Sequence, residues 1–324
     1  MAVDLDANLV HTHVSAPAAA RAWLFVILAV ALGCAAPFVV YPMFLMKVLC
    51  FALFACAFNL LIGFTGLLSF GHSAFFGGAA YITAHVAKVW GWPPELAILA
   101  GTAFAATLGL LFGWLAIRRQ GIYFAMITLA FAQMIYFLAS QMKFTGGEDG
   151  IQAVPRGYLF GFIDLSQQLN MYFFVLAIFV CGFALIWRIV HSPFGQVLTA
   201  IRENEARAVS LGYRTERYKL LAFVLSALLA GLAGSAEALV FQLASLSDVT
   251  WNMSGDVILM TLLGGMGTLL GPVVGAALVV TLETQLAGTD FPVTVVIGAF
   301  FVVCVLMFRR GIVGELLARL PRRR

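Results

Sequence analysis

The chain has 324 residues, of which 62% are hydrophobic and only 10% are charged. Soluble globular proteins carry about 25% charged residues, so this composition excludes an ordinary soluble domain and indicates the lipid bilayer as the solvent. The net charge of +4 is small, and the five cysteines lie in apolar runs without a Cys-x-x-Cys pair, which argues against disulfides and thiolate metal sites.

The first apolar run follows a polar segment. Residues 1–20 predict a disordered tail, and the uncharged stretch at 22–41 predicts the first membrane helix, since a span needs about 20 mainly apolar residues. This run is longer than the apolar part of a cleaved signal peptide, so we expect it to remain as a helix.

Eight further apolar stretches follow along the chain. The one at 257–282 is interrupted by glycines and Pro272, which predicts either one irregular span or two half-helices. The predicted fold class is therefore an all-α integral membrane protein with nine or ten transmembrane helices. The remaining spans are predicted at 43–62, 72–89, 96–117, 121–142, 171–187, 220–244 and 291–308.

Lysine and arginine predict the orientation of these spans. If residues 257–282 cross twice and Arg21 is cytoplasmic, fifteen of the 19 basic residues fall on the cytoplasmic side, as the positive-inside rule requires. Both termini are then expected in the cytoplasm, and the loop at 144–170 outside it.

Two glycine-rich segments resemble each other. The first glycine passage, residues 61–72, contains Leu-Ile-Gly-Phe-Thr-Gly-Leu-Leu, and the second glycine passage, residues 262–272, contains Leu-Leu-Gly-Gly-Met-Gly-Thr-Leu-Leu. A basic pair ends a span later in each half, at 118–119 and at 309–310. Such internal repeats are typical of transporters. A parallel repeat, an inverted repeat and a chance likeness remain open.

The glycines of both passages and two ionisable residues are candidates for the translocation pathway. Glycine lets a helix unwind at membrane depth and pack closely. His72 is expected to bond the unwound backbone. Glu237, like Glu283, either lines an outward vestibule or reaches the membrane surface. The predicted pathway residues are Gly63, Gly66, Gly71, His72, Gly264, Gly267, Gly271 and Glu237.

The loop at 190–219 is the only long charged loop that can form a helix. Ser192–Pro193 predicts a helix start, Gly212 a stop, and Thr215 a cap for the next span. A short amphipathic helix between two spans suits the docking of a soluble partner, although a solvated connector is the alternative. The predicted docking residues are Arg202, Glu203, Glu205, Ala206, Arg207, Ala208, Leu211 and Gly212.

Four segments, in order along the chain, resemble the M-type permease of branched-chain amino-acid ABC transporters. The similarity covers about residues 45–315, and its segments are 123–132, 145–150, 200–223 and 263–272. It implies that residues 21–315 form a transmembrane permease domain with a cytoplasmic coupling loop at 190–219, followed by a basic tail at 316–324. The importer pattern Glu-Ala-Ala is kept only as Glu205-Ala206-Arg207, with Gly212 one place late, which leaves the docking register open.

The resemblance implies a heteromeric importer in the bacterial inner membrane. Its partners would be a second related permease, two ATPase subunits and a periplasmic substrate-binding protein, with membrane lipid around it and no nucleic acid. The acidic turn at 145–150 is a candidate contact for the binding protein, or a plain loop. The chain lacks Gly-Lys throughout, so ATP and Mg²⁺ are expected on the partner subunits, with no cofactor bound by this chain.

The resemblance indicates the kind of transporter more narrowly than its substrate. Branched-chain amino acids are expected, and urea or short amides are alternatives within the same family. A stand-alone secondary transporter would need a charge or proton relay deep in the membrane. An intramembrane enzyme is disfavoured because no catalytic or metal-binding constellation is evident.

Overall fold

A computed structural model describes residues 31–288, 293–308 and 311–319. The predicted tail at 1–20, residues 22–30 of the first predicted span, the basic pair at 309–310 and the last five residues lie outside the described residues. Residues 31–35 are helical, and Ala36–Phe38 form a 3-10 turn. The elements below belong to a separate unit, residues 42–324.

Within its described part, this second unit consists mainly of twelve α-helices. They are α1 (Pro42–Thr65), α2 (His72–Lys88), α3 (Pro94–Ala116), α4 (Ile122–Gln141), α5 (Gln168–Val190), α6 (Pro193–Glu203), α7 (Glu205–Ser210), α8 (Thr215–Phe241), α9 (Trp251–Gly264), α10 (Gly271–Leu286), α11 (Val293–Met307) and α12 (Ile312–Arg319).

The helices confirm the predicted all-α membrane fold. Five of them, α1, α3, α4, α5 and α8, are long and apolar enough to cross a membrane. Helix α2 has 17 residues, and α10 and part of α11 are shorter apolar helices. The broken stretch near 257–282 forms two helices, α9 and α10, separated by a non-helical segment at 265–270.

Helices α1 and α8 form the centre of the bundle. In the most apolar stretch of each, 72% of α1 and 78% of α8 are buried, against 22% for α5. Small residues allow the close approach, because Gly231 of α8 packs on Ala105 of α3 and Ala79 of α2. Polar residues on α1 and α8 are therefore held inside protein.

Two short antiparallel pairs of strands lie in the loops at one end of the bundle. Strand β1 (Ile151–Gln152) pairs with β4 (Leu243–Ala244), and β2 (Tyr158–Leu159) pairs with β3 (Ile163–Asp164). The buried Arg156 donates to the carbonyls of Leu239 at 3.2 Å and Val240 at 2.6 Å. A cation suits the carbonyls at a helix C-terminus, so this contact fastens the loop to α8.

The two glycine passages lie at the same end of the bundle. Lys47 at the start of α1 pairs with Glu283 near the end of α10, while Gly63 near the end of α1 lies against Gly267 between α9 and α10. Helix α1 therefore runs parallel to α9 and antiparallel to α10. Since each passage follows a helix of the same direction, this is the arrangement of a parallel repeat.

Candidate translocation pathway and coupling loop

The two glycine passages meet at Gly63 and Gly267. A Cβ atom at Gly63 would collide with the Gly267 nitrogen at 2.6 Å. Gly66 and Gly267 have φ angles of 77° and 73°, a region that favours glycine. Glycine is needed here for two reasons. It lets the two passages touch, and it lets the backbone turn at the ends of the helices.

Asn59 of α1 bonds the second glycine passage through both ends of its amide. Its Nδ2 donates to the Thr268 carbonyl at 2.8 Å, and its Oδ1 accepts from the Gly267 nitrogen at 3.0 Å. The side chain is buried. Sequence reasoning missed Asn59, although an amide inside an apolar span was a signal of a structural or functional role.

Phe70 and Gly71 fix the first passage to α4, close to where that helix begins. The Phe70 nitrogen donates to the Thr128 hydroxyl at 3.1 Å, and a Cβ at Gly71 would press on the Thr128 carbonyl. Thr128 is six residues into α4, or about 9 Å from its first residue. The passage is therefore recessed from the helix ends.

His72 bonds a side chain, so the expectation that it would bond unwound backbone is wrong. Its Nε2 lies 2.9 Å from the Ser226 hydroxyl, which itself donates to the Ala57 carbonyl. The Ser226 hydroxyl donates its only proton to the Ala57 carbonyl, so it can only accept from His72. The Nε2 atom of His72 is therefore the donor. Its Nδ1 then has no partner among the described residues. This bond ties α2 to α8.

Gly264 and Gly271 close the turn between α9 and α10. A Cβ atom at Gly264 would overlap the Gly271 carbonyl. The Gly271 nitrogen donates to the Thr268 hydroxyl at 3.1 Å. These two glycines support the second passage by helix packing.

Arg202 connects the coupling loop to the passages. Its Nη1 donates to the Gly63 carbonyl, and its side chain lies against Gly66 and Gly267. Arg202 is one of the predicted docking residues, but its side chain contacts the place where Gly63 meets Gly267, which we call the glycine junction.

The coupling loop contains two helices, where the sequence predicts one helix from Ser192–Pro193 to a stop at Gly212. Ser192 caps α6, accepting from the Gly195 nitrogen at 3.4 Å, with Pro193 as the first helical residue. Asn204 has φ −157°, which ends α6, and its side chain caps α7 through the Arg207 nitrogen at 3.0 Å. Thr215 begins α8 without capping it.

Glu205 faces this chain and fixes the loop to the bundle. It pairs with Lys219 at 2.6 Å and accepts from Thr215 at 3.1 Å and from Gln120 at 2.9 Å. Ala208 is also buried, with 2% exposure. These two predicted docking residues position the loop, and their side chains are not free for a partner.

The remaining predicted docking residues are exposed. Leu211 is 70% exposed and Val209, which was not among the predictions, is 54% exposed. An uncovered apolar surface of this kind beside charged residues is typical of a contact surface. We use docking surface below for the exposed residues where docking is predicted, which are Glu203, Ala206, Arg207, Val209, Leu211 and Gly212.

A polar cavity of about 320 Å³ lies at the opposite end of the bundle. We call it the outer cavity, because the orientation predicted from the basic residues places this end outside the cytoplasm. It forms where α1 and α9 begin and where α8 and α10 end. Four carboxylates face it together with one lysine, and Lys47 pairs with Glu283 at 3.3 Å. Its ionisable residues are Lys47, Glu237, Asp248, Asp256 and Glu283.

Glu237 lines this cavity with only 8% of its surface exposed. The prediction that it might reach the membrane surface is therefore wrong, and the vestibule alternative describes its position. Sequence reasoning missed Asp248 and Asp256, because neither lies near Glu237 in any sequence pattern.

Asp248 lies in the turn that follows β4. Its carboxylate accepts from the Ser245 nitrogen at 3.0 Å and from the Ser247 hydroxyl at 3.3 Å. Burial raises the pKa of the Asp248 carboxyl, and the hydrogen bonds from Ser245 and Ser247 oppose that shift. The turn therefore brings a partly desolvated acid to the cavity wall.

An apolar groove of about 680 Å³ runs along α9. It extends from Trp251 at the outer end to Met266 and Phe70 at the glycine junction, and Asp256 lines both the groove and the outer cavity. Asp256 is therefore a wall common to the outer cavity and to the groove that ends at the glycine junction. Among the described residues, no group of His, Cys, Asp and Glu is arranged to hold a metal ion.

Comparison with known proteins identifies relatives of this chain. The family described as "Branched-chain amino acid transport system / permease component" matches residues 40–308. The high-affinity branched-chain amino acid transport system permease protein LivM of Escherichia coli (strain K12) is 30% identical over 245 residues. The alignment covers 68% of this chain and 58% of LivM, so the chain spans less than two thirds of that relative.

Permeases with other named cargoes are also similar. The ribose import permease protein RbsC of Bacillus subtilis (strain 168) is 26% identical over 55% of each chain. The autoinducer 2 import system permease protein LsrC of Photorhabdus laumondii is 30% identical over 39% of this chain and 40% of LsrC. No solved structure matches. Because the family match extends over most of the spans, from α1 to α11, the chain belongs to the family of permease components of branched-chain amino acid transport systems.

Proposed function

We propose that this chain is one of two permease subunits of an ATP-driven importer for branched-chain amino acids. It would lie in the bacterial inner membrane with both termini in the cytoplasm. A periplasmic binding protein would deliver the substrate, and two separate subunits would bind Mg²⁺ and hydrolyse ATP. The LivM relative, named for branched-chain amino acids, supports this substrate. The similar ribose permease shows that related permeases are also named for other solutes, so the substrate is part of the proposal.

The contact between Arg202 and the Gly63 carbonyl carries the proposal. It joins the coupling loop, where a partner's motion would arrive, to the point where the two repeats touch. A displacement of α6 must break or drag this contact, which would change how the glycine passages pack. The groove along α9 would be the path of the solute, with the second permease covering its open side.

The bond between Glu205 and Lys219 supports the same mechanism. It fixes the start of α7 to α8, a central helix of the bundle. Motion of the docking surface would therefore act on α8 and, through Arg202, on the glycine junction. Such a device transmits work only if the partner binds the two states of the permease differently.

The test is transport by the reconstituted complex in vesicles. The complex would contain this chain, its partner permease, the ATPases and the binding protein. Uptake of radiolabelled leucine, isoleucine and valine should require ATP on the side of the membrane where the ATPases lie. Ribose or urea should not compete with this uptake. ATP-independent uptake by this chain alone would instead support the stand-alone carrier.

A pair of arginine variants tests the coupling. Arg202→Gln should lower substrate-stimulated ATP hydrolysis about tenfold, because a charged hydrogen bond contributes about 1.5–3 kcal/mol. Arg214→Gln is the matched control, since Arg214 is exposed in the same loop and lies outside the docking surface. Equal stimulation in both variants would refute the role of Arg202.

A further inference from the structure

Glu237 is a buried, unpaired carboxylate at the wall of the outer cavity. Its side chain lines the cavity, it is more than nine-tenths buried, and its Oε2 has no hydrogen-bond partner among the described residues. Lys47, the one basic residue in the described lining of the cavity, already pairs with Oε2 of Glu283. A buried carboxylate without a partner is costly, so a residue kept in this condition has a ligand or a proton to receive.

The other groups of the cavity favour a positive ligand. Asp248, Asp256 and Glu283 face the same space, and only Lys47 opposes them. A cleft lined by charges of one sign between low-dielectric walls raises the local concentration of the opposite ion.

The arrangement suits an ammonium group better than a metal ion. Metal ions need several ligands converging at about 2.0–2.6 Å, and the described residues contain no such cluster. An ammonium group offers three donors and no acceptor, so it can bond one carboxylate oxygen while others neutralise it from farther away.

The surroundings of the cavity indicate the rest of the ligand. Asp256 also lines the groove along α9, whose neighbouring walls are Trp251, Ile258 and Leu259. A ligand with its ammonium group near Glu237 would thus have apolar surface beside it for its side chain. A cavity of about 320 Å³ is at the small end of the range for small-molecule sites, about 300–1,000 Å³.

We propose that the outer cavity is a substrate site in the permease itself, where the Glu237 carboxylate receives the α-ammonium group of an apolar amino acid entering the groove. The proposal rests on the proposed function, since it takes the amine to belong to the imported solute. A neutral sugar has no cation to give Glu237, so the site would also separate this chain from sugar import.

The first experiment reads occupancy of the cavity without transport. Ser247 is exposed at the cavity wall, so Ser247→Cys is introduced into the full transporter after the exposed Cys34 and Cys181 are replaced by serine. The labelling rates of cationic aminoethyl and anionic sulfonatoethyl methanethiosulfonate are then compared. Glu237→Gln should lower the cation-to-anion rate ratio about fivefold, the effect of one nearby charge.

Protection by small molecules identifies the group that binds. Leucine and isoamylamine should slow labelling of Ser247→Cys, and 4-methylpentanoate, which has leucine's carbon skeleton without the amine, should not. Protection should disappear in Glu237→Gln. Ser235→Ala is the matched control, because Ser235 is a buried residue on the same helix that faces Gly101 and does not line the cavity.

Uptake by the same preparations separates the two proposals. Leucine uptake should fall at least about tenfold in Glu237→Gln relative to Ser235→Ala. If leucine and isoamylamine give no protection, or protect Glu237→Gln equally, the ammonium site is refuted even where leucine is transported. If they protect but leucine is not transported, the ammonium site stands and the proposed function fails.

Discussion

Single polar side chains hold the repeated halves of the protein together. Asn59 bonds α1 to the second glycine passage, Arg202 adds the coupling loop, and Ser226 links His72 to α1. Each of these residues lies on a helix that is otherwise apolar or amphipathic. Because Asn59 and Ser226 are buried, water cannot replace their partners, and removing one member leaves the other unpaired.

Asn59→Leu tests this at one residue. The variant keeps the number and branching of the side-chain heavy atoms but leaves the Gly267 nitrogen and the Thr268 carbonyl without their bonds. It should lower the free energy of unfolding by about 1–3 kcal/mol. The measurement is the apparent melting temperature of the purified complex, together with leucine uptake. Ser140→Ala is the control, since its hydroxyl bonds only the Phe137 carbonyl within α4. Equal melting temperatures in the two variants would contradict a stabilising role for the bonds of Asn59.

The residues also show where the sequence was informative. Glycine at 66 and 267 predicted breaks in the helices, and the backbone at both positions has a positive φ. Partners such as Thr268 for Asn59 lie 209 residues away and had no local pattern to reveal them. The four carboxylates of the outer cavity are brought together only by the packing of α1, α8, α9 and α10.

At the scale of elements, the coupling loop divides its two alanines between different roles. Ala206 is exposed on the docking surface, whereas Ala208 is 2% exposed and packs inside the chain. The amphipathic composition predicted a helix but not its rotation, which depends on the break at Asn204 and on the bond between Glu205 and Lys219. A sequence pattern shows which residues form a helix more readily than which side is covered.

Tryptophan at each alanine should therefore give different defects. Ala206→Trp should insert and fold normally but fail to co-purify with the ATPases, because the added ring blocks the docking surface. Ala208→Trp should lower the melting temperature of the permease itself, since an overpacked site costs about 1–3 kcal/mol. Co-purification and melting curves distinguish these results. Normal assembly of Ala206→Trp would remove the assignment of the docking surface.

The glycine passages give a second test at this scale. Gly66→Leu and Gly267→Leu each place a side chain on a backbone with positive φ, at a cost of about 1–2 kcal/mol before any collision. Both variants should lose transport. Gly298→Leu is the control, because Gly298 lies in α11 with no atom near the added Cβ. Comparable uptake in all three variants would show that the passages tolerate side chains.

At the scale of the whole molecule, the orientation in the membrane remains a prediction from basic residues. Ser210 and Asp149 are both exposed and lie in loops at opposite ends of the bundle. After Cys34 and Cys181 are replaced by serine, a membrane-impermeant maleimide should label Asp149→Cys in intact cells. It should label Ser210→Cys only after the inner membrane is opened. The reverse pattern would invert the proposed topology.

The architecture as a whole was predictable to a different degree from its interior. Length and hydropathy placed α1 to α5 within a few residues of their observed bounds, because a bilayer fixes how long an apolar helix must be. They did not reveal that α1 and α8 lie at the centre, since a span facing lipid and a span facing protein are both apolar. Small residues such as Gly231 are the trace of that burial.

Helix α8 has a mechanical property that follows from its continuity. It runs without a break from Thr215 to Phe241. Lys219 and Glu237 are 18 residues apart, which is about five full turns and about 27 Å, so they project from the same side of one rod. A torque applied at Lys219 through Glu205 therefore turns Glu237 by the same angle. A rotation of about 10° would sweep a side chain about 6 Å from the axis through about 1 Å, enough to make or break a hydrogen bond.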